Sequence, residues 1–300
     1  MRACMKLRTL AAVMVVVAAG GCSSAPAASH PGATGSATAS SGAADSGAAG
    51  FWTESRLLGA DPSRGLDFRS RTGQGKAAHL ARLSLRVGAL FEHDASGNHF
   101  CTASVVASPG RNLLITAAHC INGGKNGGYR QDIVFIPDYR DGQEPYGVWI
   151  PAQLLVAPEW ENSSDPAYDV GFIVLKPNDG KNIEEVLGAN QLSIDPGYQN
   201  QVRVTGYPSN QDAPVTCTGP TFKQSESQLR FECDGFTGGT SGSPWITHFN
   251  LRTHTGTIVG VIGGYEGGGS TAAISYSSYL GPEVEQLYRQ AVADEAPATS

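Results

Sequence analysis

The chain has 300 residues, of which 40% are hydrophobic and 16% are charged, and its formal net charge at pH 7 is -6. This composition can supply a full buried core, and the 38 glycines and 17 prolines indicate many turns. Nucleic-acid binding requires a basic face, so the acidic balance excludes a nucleic-acid partner from our expectations.

Residues 1–21 have the pattern of a signal peptide. Basic residues precede an apolar run from Leu10 to Ala19, which is too short to span a bilayer. The run continues into Gly20-Gly21-Cys22, which looks like the lipobox of bacterial lipoproteins. We therefore expect export, with Cys22 lipidated and the protein held on the outer face of the cell membrane. The alternative is ordinary signal cleavage and secretion.

Two segments of different composition separate this leader from the main domain. Residues 22–50 consist almost entirely of Ala, Ser, Gly, Thr and Pro, and they bury too little apolar surface to offset the entropy lost on ordering. We expect a flexible, lipid-anchored tether that spans roughly 30 Å. Residues 51–76 contain Trp52 and several arginines. They form either a removable pro-segment or a strap packed on the domain, which spans residues 77–300.

From residue 87 onward, short apolar runs alternate with turn residues. Runs of this kind, rich in β-branched and aromatic residues, predict strands. The predicted strands are Val87–Phe91, Phe100–Val106, Leu113–Thr116, Ile133–Ile136, Val170–Leu175, Val202–Thr205, Leu229–Cys233, Thr257–Ile262 and Thr271–Ser275. Their spacing predicts an all-β domain built as a barrel or a sandwich. After Gly281, the helical spacing of Val284 and Leu287 predicts a terminal helix with Pro282 in its first turn.

Three residues in this region have side chains that fit one reaction. His119 follows an apolar run, Asp169 precedes another, and Ser241 lies in the glycine-rich segment Gly238–Pro244. A hydroxyl attacks a carbonyl poorly at neutral pH unless an imidazole takes its proton, and the imidazole needs a buried acceptor that fixes its tautomer. The three residues are therefore a candidate base, orienting carboxylate and nucleophile.

Two alternatives apply to these residues. Asp169 could instead cap the loop before its strand, and Asp165 is a second carboxylate four residues away. The segment Gly239–Ser243 also comes close to the Gly-x-Ser-x-Gly motif of α/β-hydrolases, although a serine replaces the last glycine. That fold needs an acid and then a histidine after the serine. Here the remaining histidines precede Glu266, the first acid after Ser241, so the required order fails.

The Ala-Ala-His-Cys block, the Asp before an apolar strand and the Gly-x-Ser-Gly-x-Pro block, in this order, resemble the chymotrypsin/trypsin family of serine endopeptidases over about residues 77–290. The Ser-Gly-Ser-Pro version is most similar to the bacterial branch that contains the glutamyl endopeptidases. The resemblance implies two packed six-stranded antiparallel β-barrels with a C-terminal helix. It places His119 and Asp169 in the first barrel and Ser241 in the second, with the site between them, and it makes Ser241 rather than Ser243 the nucleophile.

The function that the resemblance implies is hydrolysis of peptide bonds through an acyl-enzyme. Ser241 attacks, His119 carries the proton, Asp169 orients His119, and the N–H groups of Gly239 and Ser241 stabilise the oxyanion. The substrate is then a protein or peptide. The alternative is a catalytically inactive protease-fold surface lipoprotein that binds peptides or envelope partners. It is favoured by the tether and by Thr240, which stands where trypsin-like zymogens have an aspartate that receives the new amino terminus.

The cysteines beyond the leader predict disulfides, since their number is even in a chain expected to be exported. They are Cys101, Cys120, Cys217 and Cys233, and three pairings are open. The resemblance pairs Cys101 with Cys120, which leaves Cys217 with Cys233. Cys101, His119 and Cys120 could also be imagined as metal ligands, but a disulfide explains the cysteines better. No phosphate-cradling loop or zinc-spaced set is present, so we expect no cofactor and no metal.

The substrate pocket is predicted only through the resemblance. Trypsin-like enzymes that cut after Lys or Arg have an acid where Gly235 stands, and glutamyl endopeptidases have a histidine where Ile262 stands. Neither charged-residue pocket is therefore supported, and we expect a neutral or apolar side chain before the cut bond. Tyr265 and Glu266 are either pocket-wall residues or ordinary loop residues. At Gly263 the family's usual serine near the buried aspartate is absent.

Overall fold

The structure is a computed structural model that describes residues 40–41, 47–62, 76–94 and 97–295. The predicted signal peptide, Cys22 and most of the predicted tether lie outside the described residues, as do residues 63–75 of the predicted pro-segment or strap. The described residues all belong to one compact unit, Ser36–Ser300. Among them, no helix combines the length and apolar character that crossing a membrane requires.

Strands dominate the described part of the chain. In chain order they are β1 (Ser40–Ser41), β2 (Asp61–Pro62), β3 (His79–Leu80), β4 (Val87–Asp94), β5 (Gly97–Val106), β6 (Leu113–Thr116), β7 (Gln131–Pro137), β8 (Pro151–Val156), β9 (Gly171–Leu175), β10 (Gln191–Leu192), β11 (Gln201–Gly206), β12 (Val215–Ser225), β13 (Gln228–Glu232), β14 (Pro244–Asn250), β15 (Thr255–Val261) and β16 (Ile274–Ser278). The α-helices are α1 (Gly47–Phe51), α2 (Glu54–Leu58), α3 (Ala118–Ile121), α4 (Pro158–Ser163), α5 (Ile183–Leu187) and α6 (Pro282–Asp294). Two 3-10 helices cover Pro166–Tyr168 and Tyr265–Gly268.

The strands form two sheets. The first has the order β1-β8-β9-β6-β5-β4-β7, with β2 paired to β5, and the second has the order β10-β15-β14-β11-β12-β13-β16, with β3 paired to β12. Each sheet has six longer strands, β4 to β9 in the first and β11 to β16 in the second, which pair antiparallel with one another. The four two-residue strands attach to these two sets.

Backbone bonds curl each sheet towards closure. In the first, Phe135 of β7 and Trp149, just before β8, exchange two N–H···O bonds of 2.9 Å. In the second, the Gly263 N–H after β15 donates to the Tyr276 carbonyl of β16 at 3.0 Å. The two-barrel fold and the C-terminal helix expected from the sequence are thereby confirmed.

The apolar runs of β4, β5, β6, β7 and β9 in the first barrel are buried on both faces. Successive residues of a strand point to opposite sides. In β6, Leu114 lies in the core of the first barrel, whereas Leu113 and Ile115 lie in a second apolar cluster shared with β15 and α6. A strand buried on both faces needs apolar residues at every position, which is why β6 appears in the sequence as an uninterrupted run.

The C-terminal helix joins the two barrels. Pro282 occupies its first turn, as the sequence predicts, and Val284 and Leu287 are buried. The helix follows the second barrel in the chain, yet it contacts β8 and β9 of the first. The Tyr288 ring lies 5.8 Å from the Phe172 ring of β9, measured between centroids. One amphipathic helix thus covers apolar surface contributed by both barrels.

Three of the longer strands were not predicted from the sequence, β8, β12 and β14, and neither were the four two-residue strands. β8 begins at Pro151, β12 contains Pro220, and β14 begins at Pro244. Each also mixes polar with apolar residues, so none shows the continuous apolar run that predicted the others. The last predicted strand, Thr271–Ser275, is wrong in its bounds, because its first residues form a turn and β16 covers Ile274–Ser278.

Residues 47–62 pack on the first barrel. They comprise the last four residues of the predicted tether and the described start of the predicted pro-segment or strap, and we call them the strap from here on. The Trp52 side chain is 5% exposed, and its ring centroid lies 5.3 Å from that of Phe91 in β4. The Trp52 indole N–H donates to the Asp132 carbonyl at 2.5 Å. Leu57 is buried in the same apolar cluster, and β2 pairs with β5. The strap therefore covers an outer apolar face of the first barrel.

Replacement of Trp52 by Ala should lower the free energy of unfolding of the full chain by about 3–5 kcal/mol, because it removes a large buried ring and leaves a cavity. Urea unfolding followed by circular dichroism measures this change. Leu58→Ala is the control, since Leu58 is 47% exposed in the same segment, and its effect should stay within about 0.5 kcal/mol. Equal stabilities for the Trp52 variant and the unmodified chain would show that the strap is not part of the cooperative fold.

Candidate active site

The pairing of β6 with β9 brings two candidate residues together. Thr116 at the end of β6 lies opposite Gly171 at the start of β9. His119, in the short helix α3, and Asp169 stand just beyond these paired positions. His119 Nδ1 and Asp169 Oδ2 are 2.8 Å apart, and the His119 backbone N–H donates to Asp169 Oδ1 at 2.9 Å. The carboxylate therefore holds both the ring and the backbone of the histidine.

Asp165, the alternative carboxylate, has a different contact. Its side chain accepts a bond from the Ala167 N–H at 2.9 Å and caps the 3-10 helix Pro166–Tyr168. The structure thus places Asp169, and not Asp165, at His119.

A further N–H reaches Asp169 from the second barrel. Gly264 donates to Asp169 Oδ2 at 2.8 Å. Its φ of 76° favours glycine, and a Cβ at this position would overlap the Gln228 amide. The Gln228 side chain donates to the Pro166 carbonyl at 2.8 Å, which ties this part of the second barrel to the loop that carries Asp169. Gly263, where the family's usual serine is absent, is thus followed directly by a residue whose backbone N–H contacts the carboxylate.

Opposing effects set the pKa of Asp169. Burial alone raises the pKa of this carboxyl group. The charge of His119 and the hydrogen bonds from His119 and Gly264 lower it, and together they hold the pKa of Asp169 below its usual value. An ionised carboxylate only accepts hydrogen bonds, so His119 Nδ1 carries a proton, and Nε2 is the ring atom left to accept one. His119 Nε2 is buried and has no partner among the described residues.

The third candidate, Ser241, lies in the loop between β13 and β14. Its carbonyl accepts a bond from the Thr102 N–H of β5 at 2.8 Å. Gly242 has a φ of 83°, and a Cβ there would overlap the Thr102 carbonyl and the Thr116 hydroxyl. The loop therefore contacts β5 and the end of β6 in the first barrel. The contact in β6 is Thr116, three residues before His119.

Ile262 and Gly263 connect the Ser241 loop to Asp169. The Gly242 N–H donates to the Ile262 carbonyl at 2.7 Å. A Cβ on Gly263 would lie 3.1 Å from Asp169 Oδ2, so the backbone passes directly beside the carboxylate. The candidates thus gather at the boundary between the barrels. The Ser241 hydroxyl forms no hydrogen bond to the imidazole, a contact that often tightens only once substrate binds.

Two backbone donors of the Ser241 loop are available to a ligand. The N–H groups of Gly239 and Ser241 donate to no other described residue. Gly239 has a φ of 87°, and a Cβ there would overlap the Phe100 ring and lie 2.7 Å from the Tyr207 carbonyl. Only glycine fits this position, which agrees with the role expected for the glycine before the serine.

The expected pocket residues lie in two different environments. Gly235 has a φ of 107°, and its N–H donates to the Ala272 carbonyl at 3.1 Å. A Cβ on Gly235 would lie 3.2 Å from Ala78, which packs against the same apolar cluster of the second barrel that contains Ile262. The Tyr265 side chain is 44% exposed. Gly235 and Ile262 are therefore near one apolar region, whereas Tyr265 is at the surface.

Both expected disulfides are present. Cys101 is bonded to Cys120 and Cys217 to Cys233, with Cα separations of 6.1 and 6.6 Å. The ligand atoms of Cys101, His119 and Cys120 lie within 4.8 Å of one another, but the two sulfurs are bonded to each other. They are therefore not thiolates, the form of cysteine that binds metal ions.

Sequence reasoning did not single out Thr102, Gly264 or Gln228. Thr102 is one of two hydroxyl residues in β5, with Ser104, and its bonds to the Ser241 loop form only across the barrel boundary. Gly264 stands among several other glycines, so only its backbone geometry marks it. No sequence pattern distinguishes these residues from their neighbours.

Comparisons with known proteins identify the family. Residues 101–271, more than half of the chain, match the family model of the trypsin-like peptidase domain. No curated protein is significantly similar to the chain in sequence.

Solved structures of similar fold include several proteases. The protease Anisep from Arthrobacter nicotinovorans is 25% identical with a TM-score of 0.66, and the match covers 73% of this chain and 100% of that one. The thermostable serine protease AL20 from an extremophilic microorganism is 26% identical with a TM-score of 0.64, covering 70% and 98%. A Glu endopeptidase is 15% identical with a TM-score of 0.59, covering 74% and 99%, and shares the fold.

The pKa of Asp169 predicts an acid-dependent loss of stability. The folded-state pKa lies below the ordinary value of 3.8, so the stabilisation is fully present above about pH 4 and is lost as the pH falls through the folded-state pKa. Asp169→Asn should therefore weaken the decrease in the free energy of unfolding at acid pH, measured by urea unfolding at several pH values. Asp165→Asn is the matched control, because it removes a carboxylate four residues away whose bond is to the Ala167 N–H and not to His119. Identical slopes for the Asp169 variant and the unmodified chain would contradict this account of the carboxylate.

Proposed function

We propose, from the premise that this chain belongs to the trypsin-like peptidase family, that it cleaves peptide bonds with a triad of His119, Asp169 and Ser241. The chain is a serine endopeptidase, and its substrate is a protein or peptide. The observation that carries the triad is the 2.8 Å contact between His119 Nδ1 and Asp169 Oδ2, which leaves Nε2 as the acceptor. The proposal also explains why a serine loop of the second barrel packs beside this pair.

In the first half of the reaction, the Ser241 Oγ attacks the carbonyl carbon of the peptide bond. His119 Nε2 takes the hydroxyl proton as the Oγ–C bond forms, and Asp169 stabilises the resulting imidazolium. The tetrahedral intermediate collapses, the C–N bond breaks, and His119 gives its proton to the leaving amine. The product is an acyl-enzyme ester on Ser241.

In the second half, water replaces the amine. His119 takes a proton from the water, which attacks the ester carbonyl, and returns it to Ser241 Oγ as the acid product leaves. In both halves the carbonyl oxygen becomes negative. The N–H groups of Gly239 and Ser241 stabilise that charge, and losing one such donor typically costs about 100- to 1000-fold in rate.

The residues expected near the substrate side chain support a neutral pocket. Gly235 offers no charge, and Ile262 packs in an apolar cluster of the second barrel. Burying a substrate charge there without a partner would be costly. We therefore propose that the enzyme prefers a neutral or apolar side chain before the cut bond. The similarity of the Ser-Gly-Ser-Pro segment to the glutamyl branch does not extend to a preference for glutamate, because Ile262 stands where that branch has a histidine.

Replacement of Ser241 by Ala should reduce cleavage of labelled casein by about 10⁶-fold, to background, because the triad then lacks its nucleophile. It should also abolish covalent labelling by a fluorophosphonate. Ser243→Ala is the matched control: this serine stands two residues on and is fully buried, so its variant should still be labelled.

Each result of this experiment has a distinct meaning. Labelling that persists in the Ser241 variant and disappears in the Ser243 variant would overturn the assignment of the nucleophile. A folded, unmodified chain that neither cuts casein nor reacts with the probe would instead favour an inactive protease-fold lipoprotein that binds peptides or envelope partners.

We also propose that the enzyme is exported and anchored through Cys22. The two disulfides support export, because such bonds persist in oxidising compartments. The anchor rests on the sequence before Cys22, and secretion after ordinary cleavage is its alternative. An anchored enzyme would act on substrates at the outer face of the cell membrane.

Mass spectrometry of the mature amino terminus tests the anchor. In a bacterial host, we expect the chain to begin at a lipid-modified Cys22 and to fractionate with membranes. Cys22→Ala removes the thiol that would carry the lipid, so we expect the lipid mass to be lost while cleavage of casein is kept. An unmodified terminus beyond Cys22 in the original chain would exclude the anchor.

A further inference from the structure

We propose that Thr102 is a positioning residue for the oxyanion hole, acting from the first barrel on the Gly239–Ser241 segment of the second. The inference rests on the proposed function, because it assumes that Gly239 and Ser241 supply the oxyanion donors. It assigns a specific task to a side chain in β5 that itself touches no substrate. The task is to fix the orientation of the two donor N–H groups before the substrate arrives.

Thr102 bonds to the carbonyls of both donor residues. Its N–H donates to the Ser241 carbonyl at 2.8 Å, and its hydroxyl donates to the Gly239 carbonyl at 3.1 Å. The hydroxyl also accepts the Tyr207 N–H at 3.0 Å. Thr102 is 0% exposed, so these bonds form without competition from solvent. One buried residue thus holds two carbonyls that flank Thr240.

The Gly239–Ser241 segment needs such an attachment. Gly239 has a φ of 87°, and glycine can rotate between positive and negative φ at little cost. Rotation of its peptide groups would turn the Gly239 N–H away from the oxyanion. A hydrogen bond that fixes the Gly239 carbonyl restricts this rotation. The Phe100 ring, beside which a Cβ on residue 239 has no space, limits it further.

The loop has few other attachments to the rest of the domain. The Thr240 hydroxyl and N–H both donate to the Thr237 carbonyl, at 2.6 and 3.2 Å, and the Ser243 N–H donates to the Thr240 carbonyl at 3.0 Å. These bonds lie within the loop. The Gly242 N–H donates to the Ile262 carbonyl, but Gly242 lies after Gly239 and Ser241 in the chain, so this bond does not hold their carbonyls. The connection between the donor carbonyls and the first barrel therefore runs through Thr102.

The same geometry explains how the loop is ordered with a threonine at position 240. The Thr240 hydroxyl is used inside its own loop, so it is not available to hold an incoming amino terminus. Thr102, which holds the donor segment, is already part of the folded chain. It follows Cys101, whose disulfide partner Cys120 adjoins His119. The oxyanion donors and the base are therefore set by one covalently linked region of the first barrel.

Three variants test the role of the hydroxyl. Thr102→Val removes it while keeping the shape, and Thr102→Ser keeps it while removing the methyl group. Thr216→Val is the matched control, because Thr216 is also buried and its hydroxyl also donates to a carbonyl, that of Val204 at 2.9 Å, in the second barrel away from the loop. Turnover is measured with the fluorogenic peptide amide that the unmodified enzyme cleaves best, per site titrated with a fluorophosphonate. Because turnover is expressed per titrated site, a preparation in which only part of the protein is folded still gives the kcat of the active fraction.

We expect kcat for Thr102→Val to fall by about 10- to 100-fold with little change in KM, which is less than the loss of an entire oxyanion donor. Thr102→Ser should restore most of the rate, and Thr216→Val should keep it. The acid limb of the kcat/KM profile should not move in any variant, because the hydroxyl does not contact His119 or Asp169. Binding of a peptide boronic acid, which forms a tetrahedral adduct on the serine, should weaken in parallel with kcat.

A wild-type kcat in Thr102→Val, or no recovery in Thr102→Ser, would overturn the inference and leave the triad untouched. A displaced acid limb would also overturn it, since the effect would then act through His119. Retained cleavage in Ser241→Ala would instead refute the proposed function itself. The two failures are therefore distinguishable in one set of proteins.

Discussion

The buried, ionised carboxylate of Asp169 is the constraint around which the site is organised. A fully buried charge is tolerated only where donors surround it. Asp169 receives two N–H groups from His119 and one from Gly264. The first two belong to the first barrel and the third to the second. Satisfying one charge therefore fixes the base and also sets how the second barrel lies against the first at this point.

Close packing of backbone against backbone maintains that arrangement. Gly242 leaves no room for a side chain where the second barrel contacts Thr102, and a Cβ on Gly263 would be in tight contact with Asp169. Because the interface lacks bulky side chains here, hydrogen bonds between main-chain groups of different barrels become possible. The helix α6 then covers apolar surface of both barrels. The site thus depends on two kinds of contact between the barrels: hydrogen bonds at Asp169 and Thr102, and apolar packing beneath α6.

The sequence predicted the architecture and three candidate residues because each carries a local signal. His119 and Asp169 flank runs that must be apolar, since the strands are buried on both faces, and Ser241 lies in a glycine-rich turn. The support for these residues carries no local signal. Thr102 and Gly239 are 137 positions apart, and their bond exists only after the barrels pack. The strands β8, β12 and β14, which mix polar and apolar residues, were missed for a related reason. Their stability comes from pairing and packing with neighbouring strands rather than from their own composition.

Two buried carboxyl groups give the domain opposite responses to pH. Donors and His119 lower the pKa of Asp169, so its stabilisation is lost in acid. Burial raises the pKa of Glu295, despite a bond of 2.7 Å from the Gly110 N–H, and Glu184 adds to the increase. Its contribution is therefore fully present below the ordinary value of 4.5 and is lost as the pH rises through the folded-state pKa. Falling pH thus weakens the contact that orients the base, whereas rising pH weakens the contact between the end of α6 and the loop between β5 and β6. The carboxyl group that loses its stabilising contribution as the pH rises is therefore not the one that orients His119.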